Sequence, residues 1–475
     1  MANSYPIFVA GRWESSSEPL PILNPWDGST VGTTYLATDQ QIEFAIECAQ
    51  AAFADYQGWP TYRRADLLGE IRNRICIARD EIARLITLES GKPIRDAYAE
   101  VERCGLTFET ALEEAKRIGG EVVSLDVAPV GTCHFGITRR FPIGPILAIS
   151  PFNFPLNLAA HKVAPALAAG NTVVLKPASK TPLTWLKVAE LCVQAGLPPG
   201  VLSVLPTTTE RTEKMVRDDR FRLITFTGSA PVGWRIKTYA GHKPVLLELG
   251  GNAGVIVDRD ADVGFAVDRI AIGGYAYAGQ VCISVQRVFV HQDIFDEFAR
   301  QFVARVRSLK LGDPLDPQTD LGPMISLEAV QRTSQWIQEA IINGATVLTG
   351  GRVLGHNLIE PAVLINASPT SRICSEEAFA PVVLLFPFSD FEDVVAKVNE
   401  SVYGLQVGIF TRDLRHAFLA FERLHAGGVI VNDSPTFRID PMPYGGTKES
   451  GLGREGPKYA IQEMTELRLL VINQR

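Results

Sequence analysis

The sequence predicts an α/β protein built on parallel sheets, and three observations lead to this prediction. From Ile143 onward, short apolar runs of strand length alternate with amphipathic runs of helix length, which is the pattern of right-handed βαβ units. The 475 residues are enough for two or three domains. Hydrophobic residues make up 46% of the chain and charged residues 21%, a composition that favours a globular protein over a disordered one.

The segment before Ile143 is predicted to be mostly helical, with two extended parts. A hairpin begins the chain at Pro6–Trp13, with Ala10-Gly11 as its turn. Apolar residues recur at three- and four-residue spacing in three predicted helices, which are Gln40–Phe53, Arg63–Leu88 and Ile94–Arg117. Glu121–Phe141 is extended and is interpreted as a projecting oligomerisation arm, with an internal hairpin as the alternative.

After Ile143, buried strand-like runs alternate with helical runs. The first strands are Ile146–Ser150, Thr172–Lys176, Leu202–Leu205 and Leu223–Phe226, with helices at Leu156–Ala169, Pro182–Ala195 and Val232–Ala240. A second α/β stretch runs from about Gly251 to Pro441. The tail, Leu467–Asn473, is predicted to be a terminal strand with no obvious partner in the chain.

Charge, composition and cysteine usage exclude several classes of protein. A net charge of −7 argues against a nucleic-acid partner, which would require a basic face. Met1–Ser17 lacks the basic and apolar regions of a signal peptide, and no apolar run is long enough to span a bilayer. The seven cysteines are odd in number, widely spaced and without a CxxC pair, which disfavours disulfides or a zinc site. We therefore expect a cytoplasmic protein without a metal, membrane or nucleic-acid partner.

Cys282 is the candidate nucleophile, in the run Gly279-Gln280-Val281-Cys282-Ile283-Ser284. Glycines just before the thiol would let the backbone approach a ligand closely. A deprotonated cysteine is strongly nucleophilic but needs a base or an electropositive setting. For a cysteine standing alone, a buried structural role is the more common explanation.

Two further runs supply partners for this thiol. Glu248 lies in an apolar run that ends in Gly250-Gly251, and apolar surroundings raise a carboxylate's pKa and suit it to general base work. Asn153 follows a buried strand and precedes a helix, where its amide can donate to a developing oxyanion. The alternatives are an exposed strand-end glutamate and a helix N-cap.

Two βα junctions suggest dinucleotide contacts. Phe226–Gly233 reads as strand, glycine turn and helix start, and helix N-termini bind phosphate through free N–H groups. Gly170–Ser179 places Lys176 and Ser179 at the carboxyl end of a strand, which is the edge where ligands bind in open α/β sheets. Each signal is weak when taken alone.

Together these runs resemble the aldehyde dehydrogenase superfamily over essentially the whole chain. The matching segments, in the family's order and approximate spacing, are Asn153-Phe154-Pro155, Leu175-Lys176-Pro177, Phe226-Thr227-Gly228-Ser229, Glu248-Leu249-Gly250-Gly251, Gly279-Gln280-Val281-Cys282, Glu377-Ala378-Phe379-Ala380-Pro381 and Gly445-Gly446-Thr447-Lys448-Glu449-Ser450-Gly451. The resemblance implies a Rossmann-like cofactor-binding domain (1–119 and 140–249), a catalytic α/β domain (250–441), and a small β oligomerisation arm and tail (120–139 and 442–475). It also implies a homodimer or homotetramer in which tail strands extend a neighbour's sheet.

The resemblance also assigns roles to single residues. Cys282 would attack an aldehyde carbon, while Asn153 and the Cys282 N–H would stabilise the oxyanion. Hydride would pass to the nicotinamide of NADP or NAD, and Glu248 would activate the water that hydrolyses the thioester. Lys162 would tune the local charge. The implied cofactor contacts are Ser150, Pro151, Phe152, Lys176, Ser179, Gly228, Ser229, Leu249, Gly250, Glu377 and Phe379; Glu377 matches the residue that holds the nicotinamide ribose.

One departure from the family pattern bears on the cofactor. Many NAD-preferring members carry glutamate where this chain has Ser179, and that carboxylate would repel a 2′-phosphate. Serine removes the repulsion, and Lys176 and Lys180 lie close in sequence. NADP is therefore slightly favoured over NAD. The alternative is that Ser179 only caps a helix.

A small polar or acidic aldehyde is the expected substrate. Asn157 and His161 lie one and two helical turns beyond Asn153, on roughly the same face. In related semialdehyde dehydrogenases a cationic side chain at the His161 position meets the substrate's carboxylate, and Arg438 lies in the loop that borders the substrate mouth. The alternative is that His161 makes a core hydrogen bond and Arg438 pairs with Asp440 on the surface.

Val281, the residue beside the nucleophile, reduces the range of expected substrates. The chain also resembles non-phosphorylating glyceraldehyde-3-phosphate dehydrogenases around Ser150–Leu167, which often place an arginine where this chain has Val281. The absence of that arginine disfavours a phosphorylated substrate. Lactaldehyde, glycolaldehyde or a short semialdehyde is the remaining expectation.

Two other functions are compatible with this scaffold. A CoA-acylating aldehyde dehydrogenase would release the thioester to CoA, which the presence of Glu248 disfavours. A catalytically silent structural or binding protein is disfavoured because Cys282, Asn153 and Glu377 are all present together with Glu248.

Overall fold

The structure is a computed structural model that describes residues 4–475. The α-helices are α1 (Asp39–Tyr56), α2 (Thr61–Ile77), α3 (Arg79–Ser90), α4 (Ile94–Ala115), α5 (Asn157–Ala169), α6 (Leu183–Gln194), α7 (Thr209–Arg217), α8 (Ala230–Tyr239), α9 (Val263–Tyr275), α10 (Phe295–Arg307), α11 (Leu327–Ile342), α12 (Arg372–Ser375), α13 (Phe391–Asn399), α14 (Leu414–Arg423) and α15 (Pro457–Glu463). No helix in this part of the chain is long and apolar enough to cross a membrane.

The strands form two large sheets and several small ones. They are β1 (Ile7–Val9), β2 (Arg12–Glu14), β3 (Pro19–Leu23), β4 (Thr30–Tyr35), β5 (Val122–Val123), β6 (His134–Pro142), β7 (Ile146–Ile149), β8 (Val173–Lys176), β9 (Leu202–Val204), β10 (Leu223–Thr227), β11 (Val245–Glu248), β12 (Ala253–Val257), β13 (Val285–His291), β14 (Thr346–Thr349), β15 (Val353–Gly355), β16 (Leu358–Ile359), β17 (Ala362–Ile365), β18 (Val382–Phe388), β19 (Tyr403–Gly404), β20 (Gln406–Phe410), β21 (Gly428–Val431), β22 (Thr447–Lys448), β23 (Gly451–Leu452) and β24 (Thr465–Asn473).

The first large sheet has the strand order β2-β1-β9-β8-β7-β10-β11-β23. Its central strands β9, β8, β7, β10 and β11 are parallel, which confirms the α/β prediction. The predicted hairpin is β1 and β2, which pair antiparallel through Ala10 (φ 50°) and Gly11 (φ 98°). Helix α5 follows β7 and is buried along its whole length, so that the polar side chains on α5 lie inside the protein.

The second large sheet has the order β14-β17-β18-β13-β12-β20-β21. All neighbouring pairs are parallel except β14 with β17. Strands β12, β13 and β20 are buried at every residue, as in a parallel sheet that is covered on both faces. The chain passes from the first sheet to the second between Glu248 and Ala253, which brings the segment Leu249–Asn252 to the junction of the two sheets.

The tail strand has a partner that the sequence did not indicate. β24 pairs antiparallel with β6 along its whole length, from Thr465 opposite Pro142 to Asn473 opposite His134. β5 pairs with β6 on the other side, so the extended segment does contain an internal pairing. Whether this small sheet is also an oligomerisation arm stays a prediction, as do the predicted domain boundaries.

Two helical details differ from the sequence prediction. The run Arg63–Leu88 is two helices, because Ala78 leaves helical geometry with φ −85° and ψ 16° between α2 and α3. The apolar residues keep their helical spacing across Ala78, so the sequence pattern does not show that the helix is interrupted there. Helix α7 was not predicted, because its nine residues are mostly polar and charged and only its Thr208 cap marks it.

Candidate active site

Three loops bring the candidate catalytic residues to the junction of the two sheets. Asn153 follows β7, Glu248 is the last residue of β11, and Cys282 lies three residues before β13. Asn153 and Cys282 line one cavity of about 420 Å³. Glu248 lies behind it, in the wall of a void of about 10 Å³, which is close to the space that one water molecule needs.

A left-handed turn presents the thiol of Cys282. Tyr277 (φ 48°), Ala278 (φ 53°) and Gly279 (φ 69°) are all in the left-handed region, which costs free energy for residues other than glycine. A Cβ on Gly279 would lie 2.2 Å from the Ala380 carbonyl oxygen, so only glycine fits there. The Tyr277 hydroxyl holds the turn by donating to the Ser90 carbonyl oxygen at 2.7 Å.

The thiol is half-buried, and its hydrogen-bond partner within residues 4–475 is a tyrosine. Cys282 Sγ lies 3.0 Å from Tyr444 Oη. Burial and the nearby Glu248 raise the pKa of the Cys282 thiol to about 12, although Tyr444 and Arg438 act in the opposite direction. A thiolate in this site therefore depends on the groups that stabilise its charge.

Asn153 is held in place from two sides. Its Nδ2 donates to the Gln280 carbonyl oxygen at 3.0 Å, which leaves one amide hydrogen for a ligand. The next residue, Phe154, packs under Lys92 Nζ, 3.7 Å from the ring centroid. Helix α5 begins only at Asn157 and its N-cap is Leu156, so the alternative that Asn153 is the N-cap is wrong.

A buried ion pair supports this loop from behind. Lys92 and Glu100 form a salt bridge with both side chains fully buried. Glu100 Oε1 also accepts from the backbone N–H groups of Leu156 and Asn157, at 2.9 and 3.1 Å. The carboxylate thereby satisfies the free donors at the start of α5 and fixes the loop that carries Asn153.

Glu248 is a buried carboxyl group whose surroundings favour the protonated form. It is 3% exposed, which contradicts the alternative of an exposed strand-end glutamate. Neither carboxylate oxygen has a hydrogen-bond partner within residues 4–475. Burial and the neighbouring Glu455 raise the pKa of Glu248 well above its usual range, against the opposing charges of Arg438 and Lys162. Such a carboxyl group suits general base work near neutral pH.

The cavity also contains every residue that was expected to contact a cofactor. Besides Asn153 and Cys282, its wall includes Ser150, Pro151, Phe152, Lys176, Ser179, Gly228, Ser229, Leu249, Gly250, Glu377 and Phe379. Their roles stay predictions. The segments that follow β7, β8, β10 and β11 meet because the first sheet brings the ends of these strands to one edge, and Glu377 and Phe379 join them from the segment before β18.

Near the thiol, the cavity wall is shaped by Glu377. Its Oε1 accepts from the Gly251 N–H at 3.0 Å, and burial raises the pKa of Glu377 to about 7. A Cβ on Gly250 would lie 2.4 Å from Glu377 Oε2, so glycine is required for this approach. Phe379 (φ 47°) packs edge-on against Phe152, with the ring centroids 5.8 Å apart.

The cavity wall also includes the residues that were predicted to meet a phosphate and a ribose. Ser229 is the N-cap residue of α8 and its side chain caps none of the first N–H groups of the helix. Burial lowers the pKa of Lys176 to about 8. Ser179 is exposed at the rim; the next helix, α6, has Pro182 as its N-cap, so the alternative of a capping role for Ser179 is wrong.

The three residues predicted to meet the substrate lie apart from this cavity. Asn157 Nδ2 donates to Asp440 Oδ1 at 2.9 Å, and His161 Nε2 lies 2.8 Å from the same oxygen. Arg103 donates to both Asp440 oxygens, at 2.8 and 3.2 Å. Against the effect of burial, His161 and Arg103 lower the pKa of Asp440 well below its usual range. His161 thus makes a core hydrogen bond, which was the alternative to a contact with the substrate.

Arg438 does not pair with Asp440, so that alternative is wrong. The Arg438 side chain is 5% exposed and donates to Glu455 Oε2 at 3.1 Å. Its guanidinium carbon lies 3.6 Å from the centroid of the Tyr444 ring. Arg438 and Asp440 are two residues apart in an irregular loop. This separation does not determine the directions of their side chains, and the two residues contact different partners.

Lys162 joins this group through Glu455. Its Nζ lies 3.0 Å from Glu455 Oε1 and 2.6 Å from Thr227 Oγ1. Together with Arg438 it outweighs burial and lowers the pKa of Glu455 to about 2. This agrees with the expectation that Lys162 tunes the local charge.

Sequence reasoning assigned no role in the site to five residues around it. They are Arg103, Arg332, Asp440, Tyr444 and Glu455. Tyr444 directly precedes the Gly445-Gly446 segment that was recognised, and its hydroxyl could have been noticed there. Arg332 lies on α11, lines the cavity and donates to the Ala378 carbonyl oxygen at 2.8 Å; no motif surrounds it.

Comparison with known proteins gives matches along almost the whole chain. The profile of the aldehyde dehydrogenase family matches residues 13–470. The 3-sulfolactaldehyde dehydrogenase of Priestia aryabhattai is 42% identical over 472 residues, which cover 99% of this chain and 98% of that protein.

Solved structures share the fold at similar coverage. Aldehyde dehydrogenase 21 from Physcomitrella patens, in complex with the reaction product succinate, has a TM-score of 0.98 and 44% identity, over 100% of this chain and 99% of that one. The glyceraldehyde-3-phosphate dehydrogenase GapN from Methanocaldococcus jannaschii, complexed with NADP, has a TM-score of 0.93 and 37% identity, over 96% and 100% of the two chains.

Proposed function

The chain belongs to the aldehyde dehydrogenase family, and from this we propose that it oxidises a small polar or acidic aldehyde to the carboxylate, with Cys282 as nucleophile and Glu248 as general base. One observation supports the proposal most strongly. Cys282 and Asn153 line the same cavity as all the residues expected to contact the cofactor. Glu248 is buried behind them, and neither of its carboxylate oxygens has a hydrogen-bond partner within residues 4–475. The family uses NAD or NADP as the oxidant.

In the first half of the proposed reaction, Cys282 Sγ attacks the aldehyde carbon. The Asn153 amide hydrogen that Gln280 does not use, together with the Cys282 N–H, donates to the oxyanion that forms. A bound nicotinamide supplies the acceptor for the hydride, which leaves a thioester on Cys282. Glu377 would orient the nicotinamide ribose, since its carboxylate is fixed by the Gly251 N–H.

In the second half, Glu248 removes a proton from a water molecule that attacks the thioester carbon. The carbon–sulfur bond breaks, the carboxylate product forms, and the thiolate of Cys282 is restored. The raised pKa of Glu248 makes it a stronger base than a surface glutamate. Because this base is present, CoA is not needed as the acceptor, which disfavours the acylating alternative.

The cavity fits a nicotinamide dinucleotide. The N-terminus of α8 would take the pyrophosphate, Glu377 would hold one ribose, and Lys176 and Ser179 would face the other. Gly250 allows the close approach beside Glu377. The exposed Ser179 offers no negative charge against a 2′-phosphate, which supports use of NADP.

We expect wild-type kcat/KM with NADP to equal or exceed that with NAD. Ser179→Glu should shift the ratio toward NAD by about tenfold or more, because a carboxylate at the rim repels the 2′-phosphate. Ser179→Gln is the matched control, since it has the same length without the charge. A hundredfold preference of the wild type for NAD would contradict this proposal.

The charge beyond the thiol supports an anionic substrate. Arg103, Lys162 and Arg438 carry three positive charges, against two on Asp440 and Glu455. The surplus among these five side chains is therefore positive, and burial disfavours a further negative charge on Glu248 by raising its pKa. The curated relative is named for sulfolactaldehyde and the moss structure holds succinate; both ligands carry an anionic group beyond the reacting carbon.

A panel of aldehydes assayed with both cofactors and without CoA tests this proposal. Succinic semialdehyde or lactaldehyde should exceed hexanal and glyceraldehyde-3-phosphate in kcat/KM. Arg438→Ala, His161→Leu and Arg103→Gln should each lower kcat/KM for succinic semialdehyde, by roughly 10- to 100-fold for the arginines, because each arginine change removes a positive charge from the group beyond the thiol.

The same variants should change kcat/KM for hexanal much less. Arg95→Gln is the control, since Arg95 forms a comparable pair with Asp320 on the surface. If hexanal were the best substrate and none of the variants affected the acidic aldehydes, the substrate proposal would be wrong.

We further propose a homodimer or homotetramer. Within residues 4–475, β24 is the edge strand of its sheet, and about half of the surface of Leu467, Leu469 and Leu470 is exposed. A long apolar edge is a place where another chain pairs. A cytoplasmic location stays a prediction of the sequence.

A further inference from the structure

Tyr444 is fixed beside the reacting sulfur by contacts on three sides. The residue is 2% exposed and its Oη lies 3.0 Å from Cys282 Sγ. The guanidinium of Arg438 covers the ring at 3.6 Å from the centroid. The backbone of Tyr444 exchanges two hydrogen bonds with Glu455, at 3.1 and 2.6 Å, and Glu455 in turn holds Arg438 and Lys162.

We propose that Tyr444 is a further catalytic residue, whose hydroxyl donates a hydrogen bond to the thiolate of Cys282. It would stabilise the thiolate before attack and again when the thiolate leaves the hydrolysed thioester. The proton that Sγ loses passes to solvent, and no bond to Tyr444 forms or breaks. The inference rests on the proposed role of Cys282 as nucleophile.

The site needs such a donor because little else there stabilises a negative sulfur. The titratable groups that act on Sγ are Glu248 and Glu377, which raise its pKa, and Tyr444 and Arg438, which lower it. Tyr444 is the hydrogen-bond partner of Sγ within residues 4–475. A charge-assisted hydrogen bond is about twice as strong as a neutral one.

The phenol is also suited to be the donor rather than the acceptor. Burial, with the nearby thiol and Glu248, raises the pKa of Tyr444 well above its usual range, which favours the protonated phenol that can donate. A cation over the ring face draws electron density from it, which makes the O–H a better donor. Arg438 therefore acts on Sγ partly through Tyr444.

The test is the pH dependence of iodoacetamide labelling at Cys282, read by peptide mass spectrometry because Cys76 and Cys133 are exposed and also react. Tyr444→Phe should raise the apparent pKa of the Cys282 thiol by about one unit or more. Labelling near neutral pH should fall by about tenfold or more. Phenylalanine keeps the ring under Arg438, so the melting temperature should change little.

Tyr56→Phe is the matched control, since it also removes a buried hydroxyl, which donates to the Leu167 carbonyl oxygen at 3.0 Å; it should not move the titration of Cys282. Should Tyr444→Phe fail to fold, Arg438→Met should raise the apparent pKa in the same direction. A Tyr444→Phe protein that titrates as the wild type overturns the inference. Labelling of Cys282 does not require catalytic turnover. A wrong assignment of Cys282 as the nucleophile would therefore appear in a separate experiment, as aldehyde oxidation that survives Cys282→Ala.

Discussion

Cys282→Ala is expected to abolish aldehyde oxidation while the protein remains folded. The thiol supplies the covalent bond to the substrate, and losses of about 10⁴-fold or more are common when a nucleophile is removed. The side chain is small and lies in a cavity wall, so little packing is lost. The measurement is the burst and steady state of reduced cofactor after an aldehyde is added, with thermal melting as the check on folding.

Cys374→Ala is the matched control, because Cys374 is a buried thiol in the second large sheet's core and outside the cavity. It should keep most of the activity. Residual activity of Cys282→Ala within tenfold of the wild type would show that another group is the nucleophile.

Glu248→Gln should slow hydrolysis of the thioester far more than its formation. Loss of a general base typically costs about 10² to 10⁴-fold, and glutamine retains the size of the side chain. The acyl-enzyme should then accumulate on Cys282 and appear in the intact mass, after a burst of reduced cofactor of near-normal size. If no adduct forms and the burst is lost as well, Glu248 acts earlier than proposed.

The pH dependence of the wild type and of Glu248→Gln separates the two steps. Burial raises the pKa of Glu248, and a general base works only when deprotonated. The hydrolysis rate of the wild type should therefore rise with pH through this raised pKa, and Glu248→Gln should lose that rise. The burst rate should still increase with pH in Glu248→Gln, because the pKa of the Cys282 thiol is also raised and only its thiolate reacts.

The cofactor cavity was largely predictable from the sequence, for a topological reason. Many of its segments are short runs directly after a strand of a parallel sheet, such as Ser150–Asn153 after β7 and Gly228–Ser229 after β10, whereas Glu377 and Phe379 come before β18. Parallel strands place their carboxyl ends at one edge. Recognising the strands is therefore enough to bring the first kind of segment together, and only the family motif indicates the second.

The surroundings of the thiol were less accessible to sequence reasoning. Tyr444 is separated from Cys282 by 162 residues and Glu455 from Lys162 by 293, and no periodicity links such distant positions. Asp440 illustrates the same point, because its neighbour Arg438 pairs elsewhere while Arg103 and His161 come from α4 and α5. These partners are set by how the loop 434–456 packs over the junction of the sheets.

The sequence by itself determined the alternation of strands and helices, the family, and the residue types that carry the chemistry, because each is encoded in a contiguous run. Only the tertiary structure decided that Glu248 is buried without a described partner, that β24 pairs with β6, and that a tyrosine hydroxyl faces the thiol. Burial, pairing and pKa depend on groups that are distant in the chain, and packing brings those groups together.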